Sequence, residues 1–408
     1  MTRYLVVSSD GHAGPPADRY REYLDPGYRE AFDEHQAQTR QMLEMMRGNG
    51  DRSHQDFVEK WEKITGGDGG LLAAYDSDHR DKVLDDQGVA AEVLFPDADV
   101  LGTGRISASP FGSGLGGGAG VEPDKAMAGA KAHNRWLADF VAQSPERRVG
   151  VAVVPILHDI DAAVEEIKAA RELGLKGILI PTRWFDQPAY HDACYEPIWS
   201  VCEDLGMVLH THSGAGPADY GLGPGMMAIY ATEAWWWAAR PFWVLMWAGV
   251  FERHPRLMYS IAENGAWWMA DTIFKMDEKF VGGHNTEKLG NAFRETLTMK
   301  PSEYLARNCF LAVSTPGQED IDRRHAIGID SFLWGNDLPH PEGTYPYTRY
   351  WIRERFRDVP EDETRRILGT TAAELYSLDV AKLQPLVDRI GPTLDDVHGD
   401  TALEAVPA

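Results

Sequence analysis

The chain has 408 residues, 43% of them hydrophobic, enough to bury a large core in one large domain or two ordinary ones. Its 40 Lys and Arg stand against 63 Asp and Glu, a net charge of −23, which excludes a surface built to cover a phosphate backbone, so no nucleic-acid partner is expected. Three cysteines, Cys194, Cys202 and Cys309, form neither a CxxC pair nor an even-numbered framework and read as free thiols in a reduced compartment.

The N-terminus, MTRYLVVSSDGH, has too short an apolar run for a secretion signal and leads into a strand at residues 4–9, so a cytoplasmic protein is expected. Residues 13–70 separate this strand from its helix, 71–87, and carry a charged, Met-bearing helical segment. A second strand, 91–95, is followed by the Gly/Ser-rich loop 96–122, with GTGRISASPFGSGLGGGAG inside it. Strands at 149–155 and 177–181 flank DIDAAVEEIKAARELGLKG, whose Ile160, Ala163, Val164, Ile167, Ala170 and Leu173 share one helical face. Further strands fall at 207–212, 257–262, 310–314 and 331–335, which makes eight. The apolar stretch 234–251 is interrupted by Arg240 and Pro241 and ends in Glu252-Arg253-His254, so it reads as a buried helix and no membrane span is expected. After residue 380 comes a polar tail, 381–408, expected to seat on a neighbouring subunit or to fray, and no internal repeat is visible.

Eight apolar strands alternating with amphipathic segments predict an α/β protein, a single (β/α)8 TIM barrel over residues 1–380, with an insertion after strand 1 and a long Gly-rich loop after strand 2. The competing fold, an open doubly wound sheet, lacks the GxGxxG expected after its first strand. Loops after barrel strands lie on the face where chemistry occurs, so both long loops are candidate lids.

Metal-competent side chains recur at predicted strand ends. Asp10 and His12 end the first strand in SSDGHAGPP, and residues two apart on a strand share a face. His210 and His212 end the fifth in MVLHTHSGAG, Glu263 ends the sixth in SIAENGAWW, and Asp337 ends the eighth in FLWGNDLPH. Asp10, His12, one of His210 and His212, and Asp337 supply the imidazole and carboxylate groups that hold a divalent ion with a position left for water.

DGH after the first strand, HTHSG at the fifth and WGNDLPHPEGTYP at the eighth resemble the amidohydrolase-related proteins, the superfamily that includes aminocarboxymuconate semialdehyde decarboxylase and the γ-resorcylate decarboxylases. The resemblance runs from about residue 4 to about residue 378. It implies one divalent transition metal, Zn or Mn, held by Asp10, His12, a fifth-strand histidine and Asp337. The family's H-[ST]-G pattern matches His212-Ser213-Gly214, which assigns His212 to the metal and leaves His210 a layer deeper, as a catalytic support or as packing. Where the family's decarboxylases carry an acid/base histidine after the sixth strand, this chain has Glu263, a candidate ligand, general base or water-orienting group.

Arg183, in PTRW after the fourth strand, and Arg240, in WWWAARPFW, are candidate clamps for a substrate carboxylate, although Arg240 would also stack on indole faces. His340, three residues after Asp337, could reach the substrate or hold Asp337. His254 precedes a strand and faces the barrel's other end. The first functional reading is a metal-dependent hydrolase that uses an activated water, with Asp337 as base, on a small carboxylated or cyclic amide, lactone or C–C substrate. The alternative is a non-oxidative decarboxylase of a small aromatic or muconate-type acid, and a third reading, of another class, is a non-catalytic ligand-binding barrel. The Trp- and Met-rich segments, together with the resemblance, imply a homodimer.

Overall fold

The first strand owes its position to pairing more than to its apolar run. In the computed structural model, which describes residues 2–48, 52–99, 103–117, 120–214, 224–283 and 288–399, β1 spans Val7–His12, three residues later than the run of apolar residues suggests. Its ladder partner begins only at Ala91, so pairing continues through the polar residues up to His12 while Tyr4 to Val6 are buried ahead of it. The other strands are β2 (Ala91–Phe95), β3 (Arg148–Val153), β4 (Gly177–Leu179), β5 (Val208–His212), β6 (Tyr259–Ala262), β7 (Cys309–Ser314) and β8 (Phe332–Gly335). All seven neighbouring pairs are parallel and in chain order, β1 to β8.

The backbone just beyond β8 returns to β1 and closes the barrel: Asp337 N donates to Asp10 O at 2.9 Å and His12 N donates to Leu338 O at 2.7 Å. The fold is thus a (β/α)8 barrel and not the open sheet. One apolar cluster, with Val7, Val93, Phe95, Val151, Leu179 and Leu333, runs through the strands, and a larger one joins wall to helices.

Local sequence explains the helix ends. Asp159 caps the helix Ile160–Glu172 by accepting from Ala162 N at 2.9 Å, and Ala163, Ile167 and Ala170 are its buried residues. The helix expected over 71–87 is split into a 3-10 turn, Leu71–Ala74, and a helix, Ser77–Gln87, because Asp76 between them caps the second by accepting from His79 N at 2.8 Å. Insertion 13–70 forms helices Ala17–Tyr23, Arg29–Gly48 and Arg52–Ile64. Residues 49–51, 100–102 and 118–119 of the two insertions, and 400–408 of the tail, lie outside the described residues.

The described part of the tail corrects one expectation. It folds as two helices, Val380–Ile390 and Leu394–His398, on the barrel of its own chain, with Tyr4 N donating to Pro392 O at 2.8 Å and the Tyr4 hydroxyl 2.6 Å from His398 Nε2. Its period of apolar residues is helical (Leu383, Val387 and Ile390 are buried), which the polar composition of the tail concealed. The apolar stretch 234–251 lies mostly in the helix Met226–Trp247, and among the described residues no helix is long and apolar enough to cross a membrane. The three cysteines are unpaired.

Candidate metal centre at the barrel mouth

Asp10, His12 and His212 converge at the C-terminal ends of β1 and β5. Asp10 Oδ1 lies 3.4 Å from His12 Nε2 and 3.1 Å from His212 Nε2, and all three residues are buried. Gly335 makes this possible from β8, since a Cβ there would stand 2.7 Å from Asp10 Cβ. The second Asp10 oxygen accepts from the Ser314 hydroxyl at the end of β7. His12 Nδ1–H donates to Pro96 O at 2.6 Å and His212 Nδ1–H donates to Ser213 O at 2.8 Å. A carbonyl can only accept, so each ring turns the lone pair of Nε2 inward.

Two imidazole lone pairs and a carboxylate oxygen repel one another at this range unless a proton or a cation lies among them. The edge of a tetrahedron with metal–ligand bonds of about 2.1 Å is about 3.4 Å, so the observed spacings are those of ligands on one ion. His12 Nε2 is buried with no hydrogen-bond partner, as a nitrogen kept for a metal would be. The same nitrogens are strongly basic. Against burial, the neighbouring carboxylates of Asp10 and Asp337, 3.4 and 3.3 Å away, push His12 up to about 10, and that of Asp10 pushes His212 up to about 9. Burial alone would raise Asp10, but His212 and His12 hold it far below the usual carboxylate range.

Asp337, two residues beyond β8, lies 3.3 Å from His12 Nε2 and 2.9 Å from His340 Nδ1. His340 Nε2–H donates to Asp97 O at 3.1 Å, and its ring stacks on His12 with centroids 3.8 Å apart. A third imidazole is therefore oriented by a backbone carbonyl. The metal-competent atoms divide into overlapping groups: Asp10, His12 and His212; His12, Asp337 and His340; and Glu263, Asp337, His340 and Glu342. The four residues expected as one ligand set therefore do not all fall in one of these groups. Asp337 meets the first three through His12 and sides with His340, because its left-handed backbone, φ 56°, turns it toward the following loop.

Glu263, directly after β6, accepts from the Ser213 hydroxyl at 2.9 Å and lies 3.3 Å from His212 Nδ1. Burial first, then repulsion from Asp337, raises its carboxyl to about 7. Positive φ recurs around the mouth at non-glycine residues: Asp97 (66°) after β2, Glu263 (51°) after β6, Thr315 (46°) after β7 and Asp337. Such conformations cost of order 1–3 kcal/mol each and persist where the surroundings impose them, commonly at functional sites.

His210 lies elsewhere. It sits a layer below, with Nε2 2.9 Å from the Tyr376 hydroxyl, and burial lowers its pKa to about 3. Gly177 is its seat, since a Cβ there would be 2.4 Å from His210 Cε1. It is in none of the converging groups, so it packs the barrel and the expectation of a catalytic role finds no contact to support it. Arg183 lies 4.9 Å from the Phe185 ring and 5.4 Å from that of Trp237, and Arg240 lies 4.4 Å from Trp184 and 5.5 Å from Trp236. Both belong to an aromatic wall formed after β4 and β5. His254 is paired with Glu196 and Glu203 instead, away from the mouth. Of the loop after β2, Ser113, Gly114, Leu115 and Gly117 close a small recess against His212. Asp97 pins that loop by accepting from Ser109 N at 2.8 Å and Leu115 N at 2.7 Å.

Sequence reasoning does not reach Ser314, Glu342 or the carbonyls of Pro96 and Asp97. Asp97 and Glu342 had a signal, each a carboxylate within a few residues of a strand end. A carbonyl acceptor has none, because every residue carries one.

The family model described as amidohydrolase matches residues 9–378. A γ-resorcylate decarboxylase of Rhizobium sp. is 26% identical over 287 residues, 63% of this chain and 78% of that protein. A 2-amino-3-carboxymuconate-6-semialdehyde decarboxylase of Dictyostelium discoideum is 24% identical over 271 residues, 64% of this chain and 70% of that one. The crystal structure of a dihydroxybenzoic acid decarboxylase from Polaromonas sp., with bound manganese and 2-nitroresorcinol, shares the fold at a TM-score of 0.62 and 20% identity, covering 93% of this chain and 99% of the other. With a match over nearly all of its barrel, the chain belongs to the amidohydrolase family of enzymes.

Proposed function

We propose that the protein is a non-oxidative decarboxylase of a small aromatic or muconate-type acid, working with one divalent transition metal, Mn²⁺ or Zn²⁺, held by Asp10, His12 and His212 with Asp337 beside it. The observation that carries this reading is the buried convergence of Asp10 Oδ1 with two inward imidazole lone pairs at 3.1 to 3.4 Å. Hydrolysis, the first reading from the sequence, takes second place, since the same ligands serve both reactions and the relatives above are named decarboxylases. Glu263, standing where the resembling decarboxylases carry a histidine, is the feature that keeps hydrolysis as the alternative. Membership of an enzyme family removes the non-catalytic binding barrel.

A divalent ion supplies the positive charge that draws in a carboxylate and a neighbouring hydroxyl and fixes their orientation. The chain's own groups then manage one proton. Glu263, beside His212, is the group we assign to hold it and deliver it to the ring carbon that bears the carboxylate. The C–C bond to that carboxylate breaks, its electron pair restores the ring, and CO₂ leaves. A carboxyl does this work as an imidazole does, provided it is protonated when substrate is bound. Asp337 and His340 keep the neighbouring charge in register. Arg183 and Arg240, lying on indole and phenyl faces, are assigned to the approach of an aromatic acid. A cytoplasmic homodimer is the expected state, with the exposed Trp236 and Trp267 as the apolar surface a second copy would cover.

The test is product analysis. Mn²⁺-loaded protein is offered hydroxybenzoates, a carboxymuconate semialdehyde, lactones and amides. Release of CO₂ with the decarboxylated ring as product is expected; turnover confined to lactones or amides would hand the assignment to hydrolysis.

A further inference from the structure

The chain leaves β2 through Pro96-Asp97, and both carbonyls of this dipeptide serve the mouth. Pro96 O accepts from His12 Nδ1–H at 2.6 Å and Asp97 O from His340 Nε2–H at 3.1 Å, so two rings that stack with centroids 3.8 Å apart are held by consecutive residues. The Asp97 carboxylate serves the loop that follows. Its Oδ1 accepts from Ser109 N at 2.8 Å and its Oδ2 from Leu115 N at 2.7 Å, amides 12 and 18 residues further on. Gly114 leaves the room for this carboxylate: a Cβ there would stand 2.7 Å from Asp97 Cγ, and Gly114 is not left-handed, so closeness and not φ requires the glycine. The segment so pinned, Ser113 to Gly117, walls the recess beside His212. Asp97 itself is left-handed, φ 66°, a conformation that costs of order 1–3 kcal/mol and lasts where the surrounding contacts impose it. A residue that only anchored the loop would need no bond from its carbonyl to His340, and one that only oriented the rings would need no carboxylate.

We propose that Asp97 is a positioning residue that joins the loop after β2 to the imidazoles of His12 and His340, so that the wall of the recess and the metal centre are set together. The inference rests on the metal site of the proposed function, since an ion on His12 is what the loop responds to. Asp97 is in none of the converging metal-competent groups, and acts through two carbonyls and two amides. Fixing His12 Nε2 fixes its Nδ1–H on Pro96 O, and the next residue carries that order to Ser109 and Leu115. Such coupling is reciprocal, so a loosened loop also frees the two rings.

Backbone hydrogen exchange reads the link directly. Chelator-stripped protein is compared with the same protein loaded with Mn²⁺ alone. In wild type, exchange at the Ser109 and Leu115 amides is expected to slow by about fivefold or more on loading. The Ala162 amide, held in the same way by Asp159 on an outer helix, should stay as it was. Asp97→Asn sets an NH₂ group against one of the two loop N–H groups, and Gly114→Ala displaces the carboxylate without removing its charge. In both variants the two amides should exchange faster and no longer respond to Mn²⁺, and the bound ion should show an altered electron paramagnetic resonance line shape at unchanged stoichiometry. Wild-type protein that binds Mn²⁺ with no change at Ser109 and Leu115, or with equal slowing at Ala162, would overturn the coupling and leave the metal site standing. Variants that keep the wild-type response would overturn the role of Asp97, and a wild type that binds no Mn²⁺ would overturn both readings.

Discussion

Two clusters of buried charge lie within a few residues of each other on β1 and β2 and are built on opposite principles. Behind the wall, under the helix Ser77–Gln87, Arg80 Nε donates to Glu92 Oε1 at 3.0 Å, one terminal nitrogen to Glu92 Oε2 at 2.7 Å and the other to His12 O at 2.7 Å. The Arg80 guanidinium and the Glu92 carboxylate face each other in bidentate geometry. At the mouth, carboxylates face imidazole lone pairs, and His12 Nε2, Asp337 Oδ1 and His340 Nδ1 are buried without partners. The difference teaches how to tell a structural ion pair from a site: the first is complete as protein, and the second becomes complete only with something the protein does not encode.

The sharpest way to break that comparison is to empty the mouth. Stripping the metal with a chelator, or Asp10→Asn, should cut kcat/KM for decarboxylation by about 10⁴ or more, about 5.5 kcal/mol of transition-state stabilisation. Elemental analysis should show the metal gone in both. A variant that keeps its rate with no metal bound would reduce the cluster to packing.

Breaking the other cluster should do the reverse. Glu92→Ala strands Arg80 as an uncompensated buried charge and should cost about 3–5 kcal/mol of unfolding free energy in urea titrations. Metal content of the folded fraction should stay near wild type. If Glu92→Ala lost the metal as completely as Asp10→Asn does, the two regions would be one unit, coupled through the bond from Arg80 to His12 O.

Glu263 tests the mouth from its edge. Glu263→Gln keeps the shape and the bond from Ser213 but cannot exchange a proton, so kcat should fall by about 10²-fold, about 2.7 kcal/mol, with the metal retained. An unchanged kcat together with unchanged metal content would make Glu263 scaffolding.

Much of this was legible in the sequence, and the part that was not has a physical pattern. Strand positions followed from apolar runs, because a buried parallel strand must be apolar on both faces. Asp10, His12 and His212 stood out because polar residues at the ends of such runs have no packing reason to be there. Which of His210 and His212 faces the mouth was set by depth along β5, a quantity that two residues of the same period do not carry. The division of Asp337 from Asp10 arose from one left-handed residue, φ 56°, and an aspartate in a loop does not announce its backbone angle. The tail was misjudged because composition averages over a face, and Leu383, Val387 and Ile390 make a buried stripe in an otherwise polar segment.

A third kind of buried titratable group sharpens the comparison, since it is neither paired as an ion nor aimed at a cation. His133, on the helix Pro123–Ala142, has Nδ1 2.8 Å from the Tyr20 hydroxyl, while its Nε2 is buried and unpartnered. Burial lowers its pKa to about 4, so the folded protein holds it neutral. An unfolded histidine titrates near 6.5, so between pH 6.5 and 4 the unfolded chain binds more protons and stability falls as pH falls. The slope approaches about 1.4 kcal/mol per pH unit in that window and vanishes above it. His133→Gln removes the group, so the stability gap between wild type and variant should narrow from pH 7 to pH 4.5 in urea titrations. Two curves that stay parallel over that range would mean that His133 is solvated or charged in the fold, and that burial at this depth does not by itself keep a histidine neutral.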